Sequence, residues 1–444
     1  MDLNNIRFVY FLGIGGIGMS ALARYFNTMG VHVYGYDKTP TPLTAQLTSE
    51  NISIGYEDTI ESLPDFLQSE SPEHILVVYT PAIPIDSKQY NFLKLNHTLY
   101  KRSQVLGIIT RNFKTVAVAG THGKTTTSSL VTHLLMTKGL KPSAFLGGIS
   151  KNLGSNFIAG NTQSSDSIVV VEADEFDRSF LTLHPYLAII TSTDADHLDI
   201  YGNANALLES YQQFAKQVVP GGKLIYKKGL DLGADGLSYS ITEKADCNGN
   251  NIRIQNNQYV FDYQWGDVLI RDITTGLPGR HNVENAVAAI TIALLLGAGV
   301  DEIKYGVSSF KGIKRRFDIQ VNTNGITYID DYAHHPEEIS AFLNSVKEMF
   351  TGKKITVVFQ PHLYTRTRDF AMGFASSLSI ADTTYLLPLY PARELPIVGV
   401  SSSLIGDMMT NRVRYCHMSE LIDHLKDEPI EVLLTIGAGD IDTW

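Results

Sequence analysis

The chain has 444 residues, of which 44% are hydrophobic and 18% are charged, and this length predicts about two to four domains. A net charge of −10 argues against non-specific binding of nucleic acid, which needs a basic surface. The two cysteines, Cys247 and Cys416, lie far apart and favour a reducing compartment without a structural zinc site. Because the sequence contains neither a signal-peptide pattern nor an 18-residue apolar run, we expect a cytoplasmic protein that has no membrane partner.

The first predicted strand, residues 8–12, runs into a glycine-rich loop that precedes a helix. Gly13, Gly15 and Gly18 match the dinucleotide-binding pattern, and Asp37 follows the next predicted strand, residues 31–36. The pattern predicts a diphosphate at the helix N-terminus and a hydroxyl-bearing ring held by Asp37, but it does not require a nicotinamide. The alternative is a glycine turn that serves only helix–strand packing.

Two further strands are expected in this first part of the chain. One covers residues 74–79 and runs into the rigid loop from Thr80 to Pro84, and the other lies near residues 106–109. Loops at the carboxyl ends of strands line the ligand crevice of open α/β sheets. We therefore expect the 80–84 loop to contact a ligand, and the first domain to end near residue 107.

A second phosphate-binding pattern begins at residue 115. An apolar strand leads into Gly120-Thr-His-Gly123, and Lys124 and Thr125 open a helix. Helix N-termini bind anions through their free N–H groups and their dipole, while lysine and threonine at these places serve nucleotide phosphates and Mg²⁺. The loop is a shortened P-loop, since Val118 stands where the usual pattern has its first glycine. A chance Gly-Lys-Thr in an ordinary strand–turn–helix is the alternative.

Two acidic segments follow predicted strands of this second part. Glu172, Asp174, Glu175 and Asp177 come after the strand at 167–171, and residues 194–199 contain three aspartates and His197. Carboxylates at the ends of buried strands, close to a phosphate loop, are typical ligands of Mg²⁺. A solvated acidic loop is the alternative for the first segment.

Three other stretches carry candidate residues with local alternatives. The glycine-rich segment 147–156 is either a substrate loop or an ordinary surface loop. Residues 239–275 alternate and predict a small antiparallel sheet, after which His281, Asn282 and Asn285 open a helix in which Asn282 could be an N-cap.

The last part of the chain again alternates strands and helices after a basic link at residues 310–317. Strands are predicted at 326–329, 355–359, 384–388 and 432–436. The loops that follow three of them contain aspartate, histidine and arginine, among them Asp331, His335 and Arg366. Such loops on one sheet edge predict a site there.

Taken in order, these motifs resemble those of the Mur ligases of bacterial cell-wall synthesis. The similarity covers essentially the whole chain and rests on eight ordered motifs, which lie at 13–20, 120–125, 172–175, 194–197, 281–285, 315–317, 330–336 and 366–369. It implies an α/β protein of three domains. These are an N-terminal Rossmann-like domain for a UDP-sugar (1–107), a central P-loop ATPase-like domain with a parallel sheet plus a small antiparallel sheet (108–312), and a C-terminal Rossmann-like domain for an amino acid (313–444).

The resemblance also implies a reaction. ATP would phosphorylate the lactyl carboxylate of UDP-N-acetylmuramate, and the amine of L-alanine would then displace phosphate to form an amide. Mg²⁺ would occupy two sites, with Mn²⁺ as a possible substitute, and the protein would be a monomer or homodimer. The alternatives are another Mur-type amide ligase such as the murein-peptide recycling ligase, an NAD-dependent oxidoreductase, and a nucleotide-gated binding protein.

Residue roles follow from the matching motifs. The catalytic residues implied are Lys124, Glu172, His197, Arg316 and His335, and the metal ligands are Thr125, Glu172 and His197. The ATP-binding residues implied are Gly120, Thr121, His122, Gly123, Lys124, Thr125, Thr126, His281, Asn282, Asn285, Arg316 and Asp331. The UDP-sugar would contact Gly15, Gly16, Ile17, Gly18, Met19, Ser20, Asp37, Thr80, Pro81, Ala82, His122, Ser155 and Asn156. His335 and Arg366 would bind the amino acid, with Leu363 standing where some relatives have a basic residue.

Overall fold

The computed structural model describes residues 3–161, 164, 166–195, 198–256, 258–323, 325–392, 394–426 and 428–443. The chain divides into two compact units. Unit 1 comprises Met1–Asn248, Gln264–Val268 and Asn285–Gly306, and unit 2 comprises Gly249–Tyr263, Leu269–Glu284 and Val307–Trp444. Among the described helices, none has the length and hydropathy needed to cross a membrane.

Unit 1 begins with a five-stranded parallel sheet in the order β3-β2-β1-β4-β5. Strand β1 is central and its last four residues are buried, because helices pack on the sheet. The elements are β1 (Phe8–Leu12), α1 (Ile17–Thr28), β2 (His32–Tyr36), α2 (Pro42–Ser49), β3 (Ser53–Gly55), α3 (Phe66–Ser69), β4 (Ile75–Tyr79), α4 (Lys88–Asn96), β5 (Leu99–Lys101) and α5 (Arg102–Thr110).

The second sheet of unit 1 is built around β6, which lies between β9 and β10 and is parallel to both. The strand order from β12 is β12-β11-β10-β6-β9-β7-β8, in which only β8 is antiparallel to its neighbour. The elements are β6 (Lys114–Ala119), α6 (Lys124–Thr137), β7 (Ser143–Phe145), β8 (Phe157–Ile158), β9 (Ile168–Glu172), β10 (Leu187–Ile190), α7 (Leu198–Tyr201), α8 (Ala204–Lys216), β11 (Lys223–Lys227) and β12 (Leu237–Ser240).

The two sheets of unit 1 share one hydrophobic core. Residues of the first sheet, such as Val9 and Leu76, belong to the same buried cluster as Ala117, Val171 and other residues of the second sheet. Rings from both sides contribute, since Tyr25 of α1 packs against Phe145 and Phe157 with centroids 5.6 and 6.1 Å apart. The glycine-rich loop before α1 and the phosphate loop before α6 are therefore held in one compact body.

The next strands are neighbours in the order β13-β14-β15, and the last two are joined by a turn of two residues. A two-residue turn connects antiparallel strands, and the predicted small antiparallel sheet is confirmed. The elements are β13 (Cys247–Gln255), β14 (Gln258–Trp265), β15 (Val268–Thr274), α9 (Arg280–Leu295) and α10 (Val300–Ser309). Helix α9 belongs to unit 2 up to Glu284 and to unit 1 from Asn285 onward.

The last sheet lies in unit 2 and has the order β16-β17-β21-β18-β19-β20, with β16 antiparallel and the others parallel. Helices cover it, and its central strand β18 is buried along its whole length. The elements are β16 (Asp318–Thr323), β17 (Ile326–Asp331), α11 (Pro336–Met349), β18 (Ile355–Phe359), α12 (Tyr364–Asp369), α13 (Ala371–Leu378), β19 (Thr383–Leu386), α14 (Ser403–Gly406), β20 (Arg412–Tyr415), α15 (Met418–Lys426) and β21 (Val432–Ile436).

The predicted α/β architecture is confirmed, but the strand expected near residues 106–109 is wrong. This stretch lies in helix α5, whose N-terminus is capped by the side chain of Gln104 accepting from the Lys101 amide at 2.8 Å. Val105, Leu106 and Ile109 are buried at helical spacing on one face of α5. A short apolar run fits a strand and a buried helix equally well, which explains the error.

We expect Gly107→Ala to destabilise unit 1. A Cβ at Gly107 would lie 2.7 Å from the backbone oxygen of Thr182, so α5 would have to move, at a cost of about 1–3 kcal/mol. Gly55→Ala is the matched control because a Cβ at Gly55 would have no atom of the described residues within 4 Å. Thermal unfolding measures both variants, and an unchanged melting temperature for Gly107→Ala contradicts the expected crowding.

Candidate active site

The phosphate loop of unit 1 has a backbone that only glycine accepts easily at two positions. Gly120 and Gly123, between β6 and α6, have φ angles of 130° and 80°. A Cβ at Gly120 would lie 2.1 Å from Oγ1 of Thr191, and one at Gly123 would lie 2.8 Å from Oδ1 of Asn285. The loop leads directly into the 14-residue helix α6, and the free N–H groups in the first turn of a helix are suited to binding an anion.

Lys124, the first residue of α6, folds back over this loop. Its Nζ lies 2.7 Å from the Gly120 oxygen, 3.3 Å from the Thr121 oxygen and 2.9 Å from the Glu175 carboxylate. Burial alone lowers the pKa of Lys124, but the carboxylates of Glu175, Glu172 and Asp174 outweigh burial and raise it to about 12. Lys124 thus carries its positive charge at the phosphate loop.

The segment after β10 supports the same loop from the neighbouring strand. The Ser192 hydroxyl accepts from the His122 amide at 2.8 Å, and the Thr121 hydroxyl donates to the Asp194 carbonyl at 2.8 Å. The His122 ring lies 3.6 Å from the Asp194 carboxylate. Thr125 and Thr126 are nearly buried in the first turn of α6.

The first acidic segment distributes its carboxylates among different partners. Glu172, at the end of β9, accepts from the Gly147 amide at 3.1 Å, and a Cβ at Gly147 would lie 2.2 Å from its carboxylate oxygens. Asp174 pairs with Arg102 at 3.1 Å, and Asp177 pairs with Lys101 at 2.6 Å. With Glu175 on Lys124, three of the four carboxylates face a cation, and the segment is not merely a solvated loop.

The metal ligands implied by the resemblance are only partly within the described residues. Thr125 and Glu172 supply a hydroxyl and a carboxylate, which are the oxygen donors that Mg²⁺ prefers. His197 lies outside the described residues, as does Asp196. Within the described ranges, no group of three or more histidine, cysteine or acidic side chains is arranged to hold a metal ion.

The glycine-rich loop before α1 is packed against Asp37 and Thr80. The Gly15 amide donates to the Asp37 carboxylate at 2.7 Å, and a Cβ at Gly13 would lie 2.7 Å from the Thr80 methyl group. Asp37 and Thr80, which follow the ends of β2 and β4, therefore lie beside the glycine-rich loop, as the sequence predicted. The remaining predicted residues divide by burial, with Met19 and Ser20 buried and with Gly16, Ile17, Pro81 and Ala82 at the surface.

Asn156 occupies a buried position against the first turn of α1. Its side-chain Nδ2 donates to the Ile17 oxygen at 2.5 Å and to the Ser20 hydroxyl at 2.9 Å, and Arg24 donates to its Oδ1. Arg24 also makes two bonds to Glu50, at 2.7 and 2.9 Å. Ser155 bonds the following amide of Phe157. Asn156 is thus placed to position the glycine-rich loop.

Arg102 is a candidate that sequence reasoning missed. A Cβ at Gly18 would lie 2.8 Å from Nη1 of Arg102, and Nη2 of Arg102 donates to the Asp174 carboxylate. It therefore places a positive charge between the glycine-rich loop and the acidic segment. The sequence does contain a signal for Arg102, which is the basic pair Lys101-Arg102 at the end of the edge strand β5. This signal was missed because helix α5, which begins at Arg102, was not predicted.

In unit 2, Asp331 is the last residue of β17, and Arg316 precedes β16, the antiparallel neighbour of β17. Asp331 accepts from the amides of Phe317 and Ala333 at 2.6 and 2.8 Å, and burial raises its pKa to about 6 against the effect of Arg316. The Arg316 guanidinium lies 5.2 Å from the Tyr332 ring centroid and 3.6 Å from Glu338.

The start of α9 contributes two more predicted residues to unit 2. Burial, together with the charge of Arg316, lowers the pKa of His281 to about 4. Asn282 lies inside the first turn and donates to the Pro278 oxygen at 2.6 Å, so it is not the N-cap. Asn285 belongs to unit 1, where its side chain lies against Gly123.

A histidine and arginine cluster lies at the ends of β17 and β18. His335 and Arg366 are both nearly buried, and the His335 ring packs edge-on against Phe370 at 4.8 Å. Burial lowers the pKa of His334 to about 4, helped by Arg366 and Arg316 and opposed by Glu338. His334, which the sequence analysis did not select, thus shares the electrostatic surroundings of both arginines.

Leu363 precedes helix α12, which carries Arg366. It has a φ of 71°, which is unusual for a residue with a Cβ, and its amide donates to the Tyr390 oxygen at 3.0 Å. Such backbone strain is found where surrounding structure fixes it, often at functional sites. The backbone of Leu363 therefore helps to fix the start of α12, and this role does not require a charged side chain.

We expect the buried Asp331 carboxyl to make the stability of unit 2 depend on pH. Because its pKa is raised from 3.8 to about 6, its contribution to stability is present at low pH and is lost as the pH rises through that interval. The melting temperature of wild type minus that of Asp331→Asn should therefore fall from about pH 4 to about pH 7, because only wild type loses this contribution. A value that stays constant or rises over this range contradicts the raised pKa of Asp331.

Comparison with known proteins covers nearly the entire chain. Models of the Mur ligase family catalytic domain, the Mur ligase middle domain and the Mur ligase glutamate ligase domain match residues 8–114, 118–293 and 315–439. The UDP-N-acetylmuramate–L-alanine ligase of Christiangramia forsetii is 49% identical over 99% of this chain and 96% of its own length. The protein of the same name from Flavobacterium johnsoniae is 48% identical over 99% and 97%.

Solved structures agree. The crystal structure of UDP-N-acetylmuramate-alanine ligase from Thermotoga maritima superposes with a TM-score of 0.82 at 27% identity and covers 98% of this chain and 96% of that one. A murein peptide ligase from Psychrobacter arcticus has the same fold, with a TM-score of 0.70 at 22% identity over 98% and 97%. The chain belongs to the Mur ligase family.

Proposed function

We propose that the chain is an ATP-dependent ligase that joins L-alanine to the lactyl carboxylate of UDP-N-acetylmuramate, a step of peptidoglycan precursor synthesis. The observation that carries the proposal is that a diphosphate-type loop and a P-loop lie in one compact unit, with Arg102 and Asp174 paired between them. The relatives named for this reaction match the chain from end to end. We place the reaction in the cytoplasm, where ATP is made available.

The proposed chemistry accounts for the kinds of residue at the site. An amine does not displace oxide from a carboxylate, so the carboxylate must first become an acyl phosphate. The protein then mainly positions the reactants and neutralises charge. In this scheme Lys124 and the amides of residues 120–126 hold ATP phosphates. His281, Asn282, Asn285, Arg316 and Asp331 are further nucleotide contacts.

Mg²⁺ would supply charge neutralisation at the phosphates. Thr125 and Glu172 fit one site by their oxygen donors and by their places at the start of α6 and the end of β9, and His197 is proposed for a second site. The UDP-sugar is assigned to the glycine-rich loop, Asp37 and residues 80–82, with His122, Ser155 and Asn156 beside it. Residues 1–107, 108–312 and 313–444 remain our proposed domains, and a monomer or homodimer our proposed assembly.

The decisive experiment measures the release of phosphate from ATP in the presence of Mg²⁺. We expect turnover only when UDP-N-acetylmuramate and L-alanine are both present. Replacing L-alanine by the tripeptide L-alanyl-γ-D-glutamyl-meso-diaminopimelate tests the murein-peptide alternative. The proposal is overturned if phosphate is released with the tripeptide but not with L-alanine, or with neither of the two acceptors.

Lys124→Ala should abolish this turnover. It should also lower the melting temperature, because the buried Glu175 carboxylate loses its ammonium partner, so turnover is measured well below that temperature. Loss of a charge at the transferring phosphoryl group is expected to lower kcat on the order of a hundredfold or more. Lys138→Ala, at the other end of α6, is the control and should retain activity. Activity of Lys124→Ala within about tenfold of wild type would exclude the P-loop role.

Arg366→Lys should raise the KM for L-alanine, on the order of tenfold, since lysine keeps the charge but loses the forked contact to a carboxylate. The KM values for ATP and UDP-N-acetylmuramate should change little. Arg368→Lys on the same helix is the control, because Arg368 is half-exposed and pairs with the adjacent Asp369. A change confined to the KM for ATP would assign Arg366 to the nucleotide instead.

A further inference from the structure

The ammonium group of Lys124 has its hydrogen-bonding capacity filled by the protein itself. An ammonium has three N–H donors. They are matched by the Gly120 oxygen at 2.7 Å, the Thr121 oxygen at 3.3 Å and the Glu175 carboxylate, whose two oxygens both lie 2.9 Å away. A phosphate oxygen can therefore reach Lys124 only if one of these contacts is given up or shared.

Glu175 is held at Lys124 by its own segment. Its side chain is 1% exposed, and the flanking residues Asp174 and Asp177 are tied to Arg102 and Lys101. The two residues Asp177 and Arg178 both have φ of 54°, a left-handed conformation that costs free energy for residues with a Cβ. The segment is thus strained while it presents Glu175 to the phosphate loop.

Charge decides which of the three contacts an incoming phosphate displaces. The two carbonyl oxygens are neutral, whereas the Glu175 carboxylate repels the phosphate and competes with it for the same ammonium. Parting a buried ion pair is costly, and relaxation of the strained backbone at residues 177–178 offsets part of that cost.

We propose that Glu175 is a positioning residue that holds Lys124 over the phosphate loop before ATP binds. When ATP binds, a phosphate oxygen replaces the Glu175 carboxylate as the partner of Lys124. The inference rests on the proposed function, because it takes the loop as the ATP site. It assigns Glu175 a role different from that of the neighbouring Glu172, since Glu175 acts on the lysine and not on a metal ion. Its removal should therefore favour ATP binding.

The first test is calorimetric binding of a non-hydrolysable ATP analogue with Mg²⁺. Glu175→Gln removes the competing charge and should tighten binding on the order of tenfold. Glu175→Asp restores the charge and should return the affinity toward that of wild type. Unchanged or weaker binding by Glu175→Gln overturns the proposal, and weaker binding would identify Glu175 with nucleotide or metal contact.

Asp177→Asn is the matched control. It breaks the neighbouring pair with Lys101 in the same segment, and asparagine accepts the left-handed backbone as readily as aspartate does. We expect its affinity to stay within about twofold of wild type. If Asp177→Asn tightened binding as much as Glu175→Gln does, loosening of the segment would explain the effect and the proposed exchange would be wrong.

Stability gives a second readout that does not need turnover. Without nucleotide, Glu175→Gln should melt below wild type, because the nearly buried Lys124 loses its carboxylate partner, and the analogue should raise its melting temperature by more than it raises that of wild type. An equal increase for both proteins overturns the exchange. A wild-type protein that does not bind the analogue at all contradicts the proposed function instead.

A crystal structure of the wild-type protein with the analogue tests the exchange directly. The Lys124 Nζ should then lie more than about 4 Å from the Glu175 carboxylate, beyond ion-pair distance, and within bonding distance of a phosphate oxygen. A pair that keeps its separation of 2.9 Å in the complex overturns the proposal.

Discussion

The arrangement of unit 1 depends on how the charges of the acidic segment 172–177 are compensated. Four carboxylates follow one buried strand, and water does not reach Glu175. Left without cations, such a group would be far too costly to bury. Lys124, Arg102 and Lys101 supply the cations, and they come from two distant places in the chain. The acidic segment consequently connects the phosphate loop to the start of α5.

This charge network explains why two phosphate-type loops are found in one compact body. Apolar packing of α1 and α5 against the second sheet provides the contact area, and polar groups set its alignment. Asn156 bonds the first turn of α1, while Arg102 lies between Gly18 and Asp174. A displacement along this contact would break several buried hydrogen bonds together, so the relative position of the loops is well defined.

Much of this was predictable from local patterns. The glycine-rich loop, Asp37, the phosphate loop and the segments at the carboxyl ends of β17 and β18 follow from rules that relate short motifs to strand–loop–helix units. The ion-pair partners were not predictable, because Arg102 and Lys101 precede their carboxylates by more than seventy residues of chain. Helix α5 was missed because its short apolar run fits a strand equally well, and the burial of that run in the core of unit 1 cannot be read from the sequence. The role of His197 stays a prediction, because it falls outside the described residues.

The candidate residues of unit 2 follow the opposite electrostatic rule. Here two arginines, Arg316 and Arg366, are near histidines that burial and these cations keep neutral, with pKa values of about 4 for His281 and His334. Burial is the largest cause of the low pKa of both histidines, the arginines add to it, and Glu338 opposes it. Burial likewise raises the pKa of Asp331, so this region disfavours charge of either sign on its buried groups. Unit 1 thus pairs a buried carboxylate with the ammonium group of Lys124, whereas in unit 2 burial holds ionisable groups toward their neutral forms.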